Sequence, residues 1–222
     1  FPLWAAVGVV PPTANGGTTR ILPGNNAFTD AEVDDMIDAG IHICIAAGNN
    51  YYKADIVGGD DYDNTVTAGG NTFNYHRGSS PKNTRAFMVG NVDTSVAAGN
   101  VDELAESSTK GPLVNIHAPG TSIFAACSTT NDGYSTIASP DDANYRVMSI
   151  SGTSMASPQV AGVCALHLQV QPWLTPAQLQ AKLFAESKSV LYSSGTNNDY
   201  DNQNDLMGAP NRMLFSKYGR QP

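Results

Sequence analysis

Ser151-Gly152-Thr153-Ser154-Met155-Ala156-Ser157-Pro158 is the stretch that decides how this chain is read. It joins a strand-like segment, residues 145–150, to a helix-like one that continues as Val160-Ala161-Gly162-Val163-Cys164-Ala165-Leu166. A serine at a helix start is well placed to act as a nucleophile. The first N–H groups of a helix have no partner within it, and the helix dipole favours negative charge there. Gly152 lets a substrate backbone come close, and Ala156 and Gly162 allow tight helix packing. An isolated Gly-Thr-Ser would read as an ordinary N-cap made by Thr153 or Ser154. Eight residues in this order are far more specific.

Upstream of this run, Thr29 and Glu32 form a capping-box pattern. Val33, Met36 and Ile37 then share a helical face, and Gly40 ends the helix. Ile41-His42-Ile43-Cys44-Ile45-Ala46 follows as a strand, apolar at nearly every position as buried parallel strands are. Helix, tight turn and a strand covered on both faces predict an α/β architecture. The strand runs into Ala46-Ala47-Gly48-Asn49 at its C-terminal end, where open α/β sheets place their sites. Acyl transfer needs hydrogen-bond donors aimed at the developing oxyanion, and a side-chain amide serves. Alone, Asn49 reads as a turn former; beside the serine run it is a candidate donor.

Residues 50–85 read as a loop, 86–92 as a strand, 115–118 and 119–124 as short strands around a turn, and 145–151 as the strand before the serine helix. Pro172 ends that helix. Thr175-Pro176 opens the next, with Leu179 and Leu183 facing inward. Residues 1–27 are rich in Pro, Gly, Asn and Thr and read as a leading loop, a place where a cut would fall. The remainder, 28–222, reads as one unit without repeats or a linker.

The serine run resembles the catalytic-serine signature of the subtilisin-like serine proteases, and the nucleophile it implies is Ser154. Gln159 departs from the pattern, which usually has a histidine after the proline. Ala46 to Asn49 resembles the family's oxyanion segment, which implies Asn49 as the donor and the backbone of Ala46, Ala47 and Gly48 as one wall of the substrate pocket. Val89-Gly90-Asn91-Val92-Asp93 and Ala118-Pro119-Gly120-Thr121-Ser122-Ile123 resemble further family segments. Ser149-Ile150-Ser151-Gly152-Thr153-Ser154 and Pro210-Asn211-Arg212-Met213-Leu214 are similar to the proteinase K branch. The resemblance implies a three-layer α/β fold with a mostly parallel sheet, of which this chain is the C-terminal part.

A serine hydroxyl needs a base, and the base needs an orienting carboxylate. In the family these stand before the asparagine, in Asp-Ser-Gly or Asp-Thr-Gly and Gly-His-Gly-Thr-His settings. Neither setting occurs here. Asp93-Thr94-Ser95 is a decoy, because it follows Asn49. His42, His76, His117 and His167 read as structural. The expected partner is therefore an N-terminal portion of the same protease carrying Asp and His, without which this chain is inactive. Its substrates would be polypeptides. A protease-derived structural domain of a secreted complex or virion is the alternative, and a sedolisin-type acid protease a third reading, against which Asn49 speaks.

The 222 residues suffice for a sizeable core. Charged residues make up 14%, below the roughly 25% usual in soluble domains, with Gly, Asn, Ser and Thr in their place. This composition fits an extracellular hydrolase. A net charge of −8 with no basic cluster argues against nucleic acid or anionic membrane as partner. The longest apolar stretch, residues 3–10, is far short of the roughly 20 residues of a membrane span. The chain starts at Phe1 without a signal-peptide pattern, and is expected to be processed, truncated or a fragment. Cys44, Cys127 and Cys164 lack metal spacing, and Cys44 and Cys164 read as buried free thiols. No cofactor is required for the chemistry. The long interval between Asn49 and Asp93 suggests an insertion at residues 58–64. That segment, like Asp199, Asp201 and Asp205, has clustered carboxylates and amides but no complete calcium-loop pattern, so solvated acidic loops are preferred to structural calcium.

Overall fold

The computed structural model of the chain describes residues 23–50, 53–68, 70–94, 102–129, 136–191 and 206–216. Residues 1–22 of the leading loop, and Asp199, Asp201 and Asp205, lie outside the described residues. In chain order the elements are α1 (Ala27–Asp38), β1 (Cys44–Ala46), β2 (Thr65–Ala68), β3 (Asn71–Asn74), β4 (Phe87–Asp93), β5 (Glu103–Leu104), β6 (Ile116–Pro119), β7 (Ile123–Cys127), β8 (Ile137–Ala138), β9 (Arg146–Ile150), α2 (Thr153–Val170) and α3 (Pro176–Glu186).

Strand β4 is the axis of the main sheet. It pairs in parallel with β1 and β6 and, at its C-terminal end, antiparallel with β5. Its side chains alternate between faces, as the period of two requires. Phe87 and Val89 join Ile116 and Ala118 of β6 under Ala156, Val160 and Cys164 of α2 and Leu179 and Leu183 of α3. Met88 points the other way, to Ile45 and to Val33 and Ile37 of α1. The result is helix, sheet and helices in three layers, the α/β architecture expected. A second sheet, β7-β9-β8, is antiparallel.

The boundaries moved in three places. Asn26, not Thr29, caps α1: its side chain accepts from the N–H groups of Phe28 and Thr29, which puts Thr29 inside the helix and residue 27 of the leading loop at its start. The apolar run 41–46 is a ladder strand only over Cys44–Ala46, because β4, its one described neighbour, begins at Phe87. The expected loop 50–85 contains the antiparallel hairpin β2–β3, with Thr65 opposite Asn74 and Thr67 opposite Thr72. Its sequence cue is Gly69-Gly70 between two Thr-containing runs. The capping box at α3 formed as expected, with Thr175 and Gln178 bonding reciprocally.

Helix α2 carries no charged Asp, Glu, Lys or Arg side chain and is mostly apolar. Yet Pro158, Ala161, Ala165, Leu166 and Val170 are exposed. The edge of β1 away from β4 likewise carries no strand among the described residues. No described helix is long and apolar enough to cross a membrane.

Candidate active site

Strand β1 and helix α2 run antiparallel, so the C-terminal end of the strand meets the start of the helix. There the backbone turns at Gly48, with φ 109°. The Asn49 Oδ1 atom accepts a hydrogen bond from the Thr153 N–H at 2.9 Å and from the Thr153 hydroxyl at 3.2 Å. The Gly48 N–H in turn donates to Thr153 Oγ1 at 3.2 Å. A backbone N–H can only donate, so the atom of Asn49 facing it must be the carboxamide oxygen. That fixes the orientation of the amide and leaves Nδ2 on the far side. Nδ2 lies against Gly152, 3.1 Å from where a Cβ there would stand. Gly152 has φ 152°, so glycine serves both the conformation and the approach.

Ser154 is the second residue of α2, with an exposed side chain. Its N–H belongs to the first turn, whose donors the helix cannot satisfy. Asn49 Nδ2, lying against Gly152, and the Ser154 N–H thus both stand at the positive end of a long helix whose second residue is the exposed Ser154. A turn from the neighbouring strand holds this helix start. The Gly152 N–H donates to the Gly120 carbonyl at 2.8 Å, and the Ser122 N–H to Ser151 Oγ at 2.8 Å. A Cβ on Gly120 would lie 2.5 Å from Asn91 Oδ1 and 2.6 Å from the Gly152 carbonyl, so only glycine fits. Gln159 donates from Nε2 to the Pro119 carbonyl, so the residue that departs from the family pattern ties helix to turn.

The predicted site residues Ala46, Ala47, Gly48, Asn49 and Ser154 converge here. Ala46 and Gly48 are half-buried; the Ala47 side chain turns into the cluster of Val92, Leu104 and Val114, so it offers only backbone. Sequence reasoning missed the clamp made by Thr153, which it read only as a candidate cap. Nothing local in the sequence marks a threonine as the partner of an asparagine 104 positions away.

The histidines stand elsewhere. His42 lines the same cavity of about 470 Å³ as Ser154. However, His42 precedes β1, whereas Asn49 follows it at the end that meets the start of α2. His76 is buried with Nδ1 on the Lys53 carbonyl at 2.7 Å. His117 is buried in β6 with Nδ1 3.3 Å from the Arg212 carbonyl, and burial pushes its pKa down from 6.5 to about 4. His167 is buried on α2 with Nε2 3.4 Å from Glu186. Asp93 ends β4 opposite Glu103.

In the acidic loop, Asp55 accepts from the N–H groups of Ile56 and Asp61, Lys53 bonds Asp61, and Arg77 bonds Asp63. The Lys53 hydrogen bond is the main reason the Asp61 carboxyl titrates below its usual range. Among the described residues no group of three or more His, Cys, Asp or Glu side chains is arranged to hold a metal ion.

An extracellular protease of Xanthomonas campestris pv. campestris is 36% identical over 171 residues, 77% of this chain and 26% of that protein. An extracellular serine proteinase of a Thermus species is 30% identical over 173 residues, covering 78% of this chain and 32% of that protein. The crystal structure of a cold-adapted subtilisin-like serine proteinase superposes with a TM-score of 0.54 and 26% identity, covering 87% of this chain and 51% of that one. The chain thus spans only about a quarter to a third of the length of these curated relatives. The sequence model of the subtilase family matches residues 14–209, nearly the whole of the chain, and with the sheet, the serine helix and the placement of Asn49 it leads to one conclusion: the chain belongs to the subtilase family.

Proposed function

We propose that this chain is the nucleophile-bearing part of a subtilisin-type serine endopeptidase. Ser154 Oγ attacks the carbonyl carbon of a peptide bond, and its proton passes to a histidine on an N-terminal portion of the same protease, oriented there by an aspartate. The tetrahedral oxyanion accepts from Asn49 Nδ2 and the Ser154 N–H. Its collapse expels the amine, which takes the proton back from the histidine, and water then releases the acyl group by the same steps in reverse. No cofactor takes part in these steps.

The observation that carries the reading is the clamp of Thr153 on Asn49 Oδ1, which leaves the amide nitrogen against Gly152, two residues before Ser154. Such a donor contributes only if it is held before charge develops. Support for the partner comes from the exposed apolar residues of α2 and from the edge of β1 that carries no strand among the described residues, which are surfaces a second polypeptide layer would cover. Relatives named as extracellular support a secreted enzyme.

A fluorophosphonate probe tests the proposal. The chain alone should stay unlabelled. Together with a polypeptide carrying the Asp-Ser-Gly or Asp-Thr-Gly and Gly-His-Gly-Thr-His settings, it should be labelled at Ser154, and Ser154→Ala should abolish the label. A stable two-part assembly with no label at Ser154 would favour a structural role for the domain.

A further inference from the structure

Asn91 sits among the apolar residues of β4 and is 1% exposed. Burying a carboxamide costs free energy unless it is hydrogen-bonded. Its partner is Thr121, the second residue beyond β6. Asn91 Nδ2 donates to the Thr121 hydroxyl at 3.2 Å, and Oδ1 accepts from that hydroxyl at 3.4 Å. The ladder between β4 and β6 ends at Val92 opposite Pro119, and the Gly120 N–H still reaches the Val92 carbonyl at 3.2 Å. Beyond that point the Asn91 side chain holds the turn to β4. The next residue, Ser122, has φ 56°, a left-handed conformation that is costly for serine and persists where the surroundings impose it. This turn carries the start of α2. The Gly120 carbonyl accepts from the Gly152 N–H, the Ser122 N–H donates to Ser151 Oγ, and Gln159 donates to the Pro119 carbonyl. Asn91 Oδ1 is also the nearest atom that a Cβ on Gly120 would meet, so the amide abuts the residue that holds Gly152.

We propose that Asn91 is a positioning residue for the attack by Ser154. It acts through Thr121 and Gly120, which fix Gly152, and Gly152 is the residue against which Asn49 Nδ2 rests. A shift of the turn carries Gly152 with it, and so misplaces the oxyanion donor and the start of the serine helix together. Misalignment of groups that act on the transition state lowers turnover more than it weakens substrate binding. The proposal rests on the reading of Ser154 as the nucleophile.

The test measures peptide hydrolysis by the two-part enzyme, with urea unfolding of each variant alongside. Thr121→Val keeps the shape of the side chain and removes the hydroxyl. Its kcat should fall about tenfold, with KM changed by less than about twofold. Thr121→Ser keeps the hydroxyl and loses a methyl group, and should recover most of that turnover. A role in packing alone predicts the opposite order. Asn91→Leu should lose kcat as Thr121→Val does, and the double variant should lose little more than either single one, since both remove the same bond. The proposal is overturned if Thr121→Val turns over as fast as the unaltered enzyme, if Thr121→Ser is no better than Thr121→Val, or if the two losses are fully additive. Thr121 is half-buried on the turn, so its two variants decide the outcome even where Asn91→Leu does not fold. An unaltered two-part enzyme that neither hydrolyses peptide nor is labelled at Ser154 overturns the proposed function and this proposal with it. An active enzyme indifferent to Thr121→Val overturns this proposal alone.

Discussion

Asn49 and Thr153 divide one task between them: the threonine holds the carboxamide oxygen and the asparagine presents the nitrogen. Replacing Asn49 by alanine removes the donor itself. In the assembled enzyme kcat should fall about 100- to 1000-fold with KM little changed, the range found when subtilisin loses its own oxyanion asparagine. Thr153→Val keeps the N–H and the shape but removes the hydroxyl, which also deprives the Gly48 N–H of its acceptor. Stability should drop by about 1–2 kcal/mol in urea unfolding, and kcat by roughly tenfold. The double variant should lose less activity than the two single losses combined, since both act through one amide; full additivity in a kinetic cycle would refute the clamp.

At the scale of elements, α3 depends on its first turn to bring Leu179 and Leu183 onto the sheet. Thr175→Ala removes the capping hydroxyl and should cost about 1 kcal/mol, read as a lower urea midpoint with an unchanged slope. Strand β6 makes stability depend on pH. His117 is held neutral, with a pKa of about 4 in the folded chain against 6.5 when exposed. Between those values the unfolded chain binds a proton that the folded one refuses. Its contribution is therefore full above about pH 6.5 and is lost as pH falls towards 4, up to about 3 kcal/mol. Burial lowers His76 in the same direction. Comparing urea unfolding at pH 7 and 4.5, His117→Gln should show the smaller change. The sequence made this level legible wherever a pattern was local. Thr175-Pro176 announced its cap, and the apolar run at Cys44 and the serine helix announced their layers. It hid what depends on distant pairing. The hairpin at Thr65–Ala68 and Asn71–Asn74 lay inside a stretch dominated by loop residues, and Asn26 won the cap of α1 over the better-looking motif at Thr29.

At the scale of the whole molecule, the unresolved tension is a helix made for the interior with one side open. Pro158, Ala161, Ala165, Leu166 and Val170 are exposed apolar residues of α2, and the edge of β1 away from β4 carries no strand among the described residues. Alone, the chain should scatter light and bind a hydrophobic dye at micromolar concentration, and the N-terminal portion should suppress both in step with the appearance of Ser154 labelling. A well-behaved, dye-negative monomer would contradict the two-part reading. The family was legible at this scale from two short motifs, because the serine run and the Ala46–Asn49 segment both lie on this chain, whereas the Asp and His settings that the family places before the asparagine do not occur in it. The position of the oxyanion donors has a kinetic corollary. In the proposed two-part enzyme, charge stabilisation is built before the proton acceptor arrives, so the encounter of two polypeptides would complete the chemistry. On dilution below the dissociation constant, turnover in an equimolar mixture should then fall with the square of protein concentration. A covalently continuous enzyme would follow the first power, and the exponent alone separates the two.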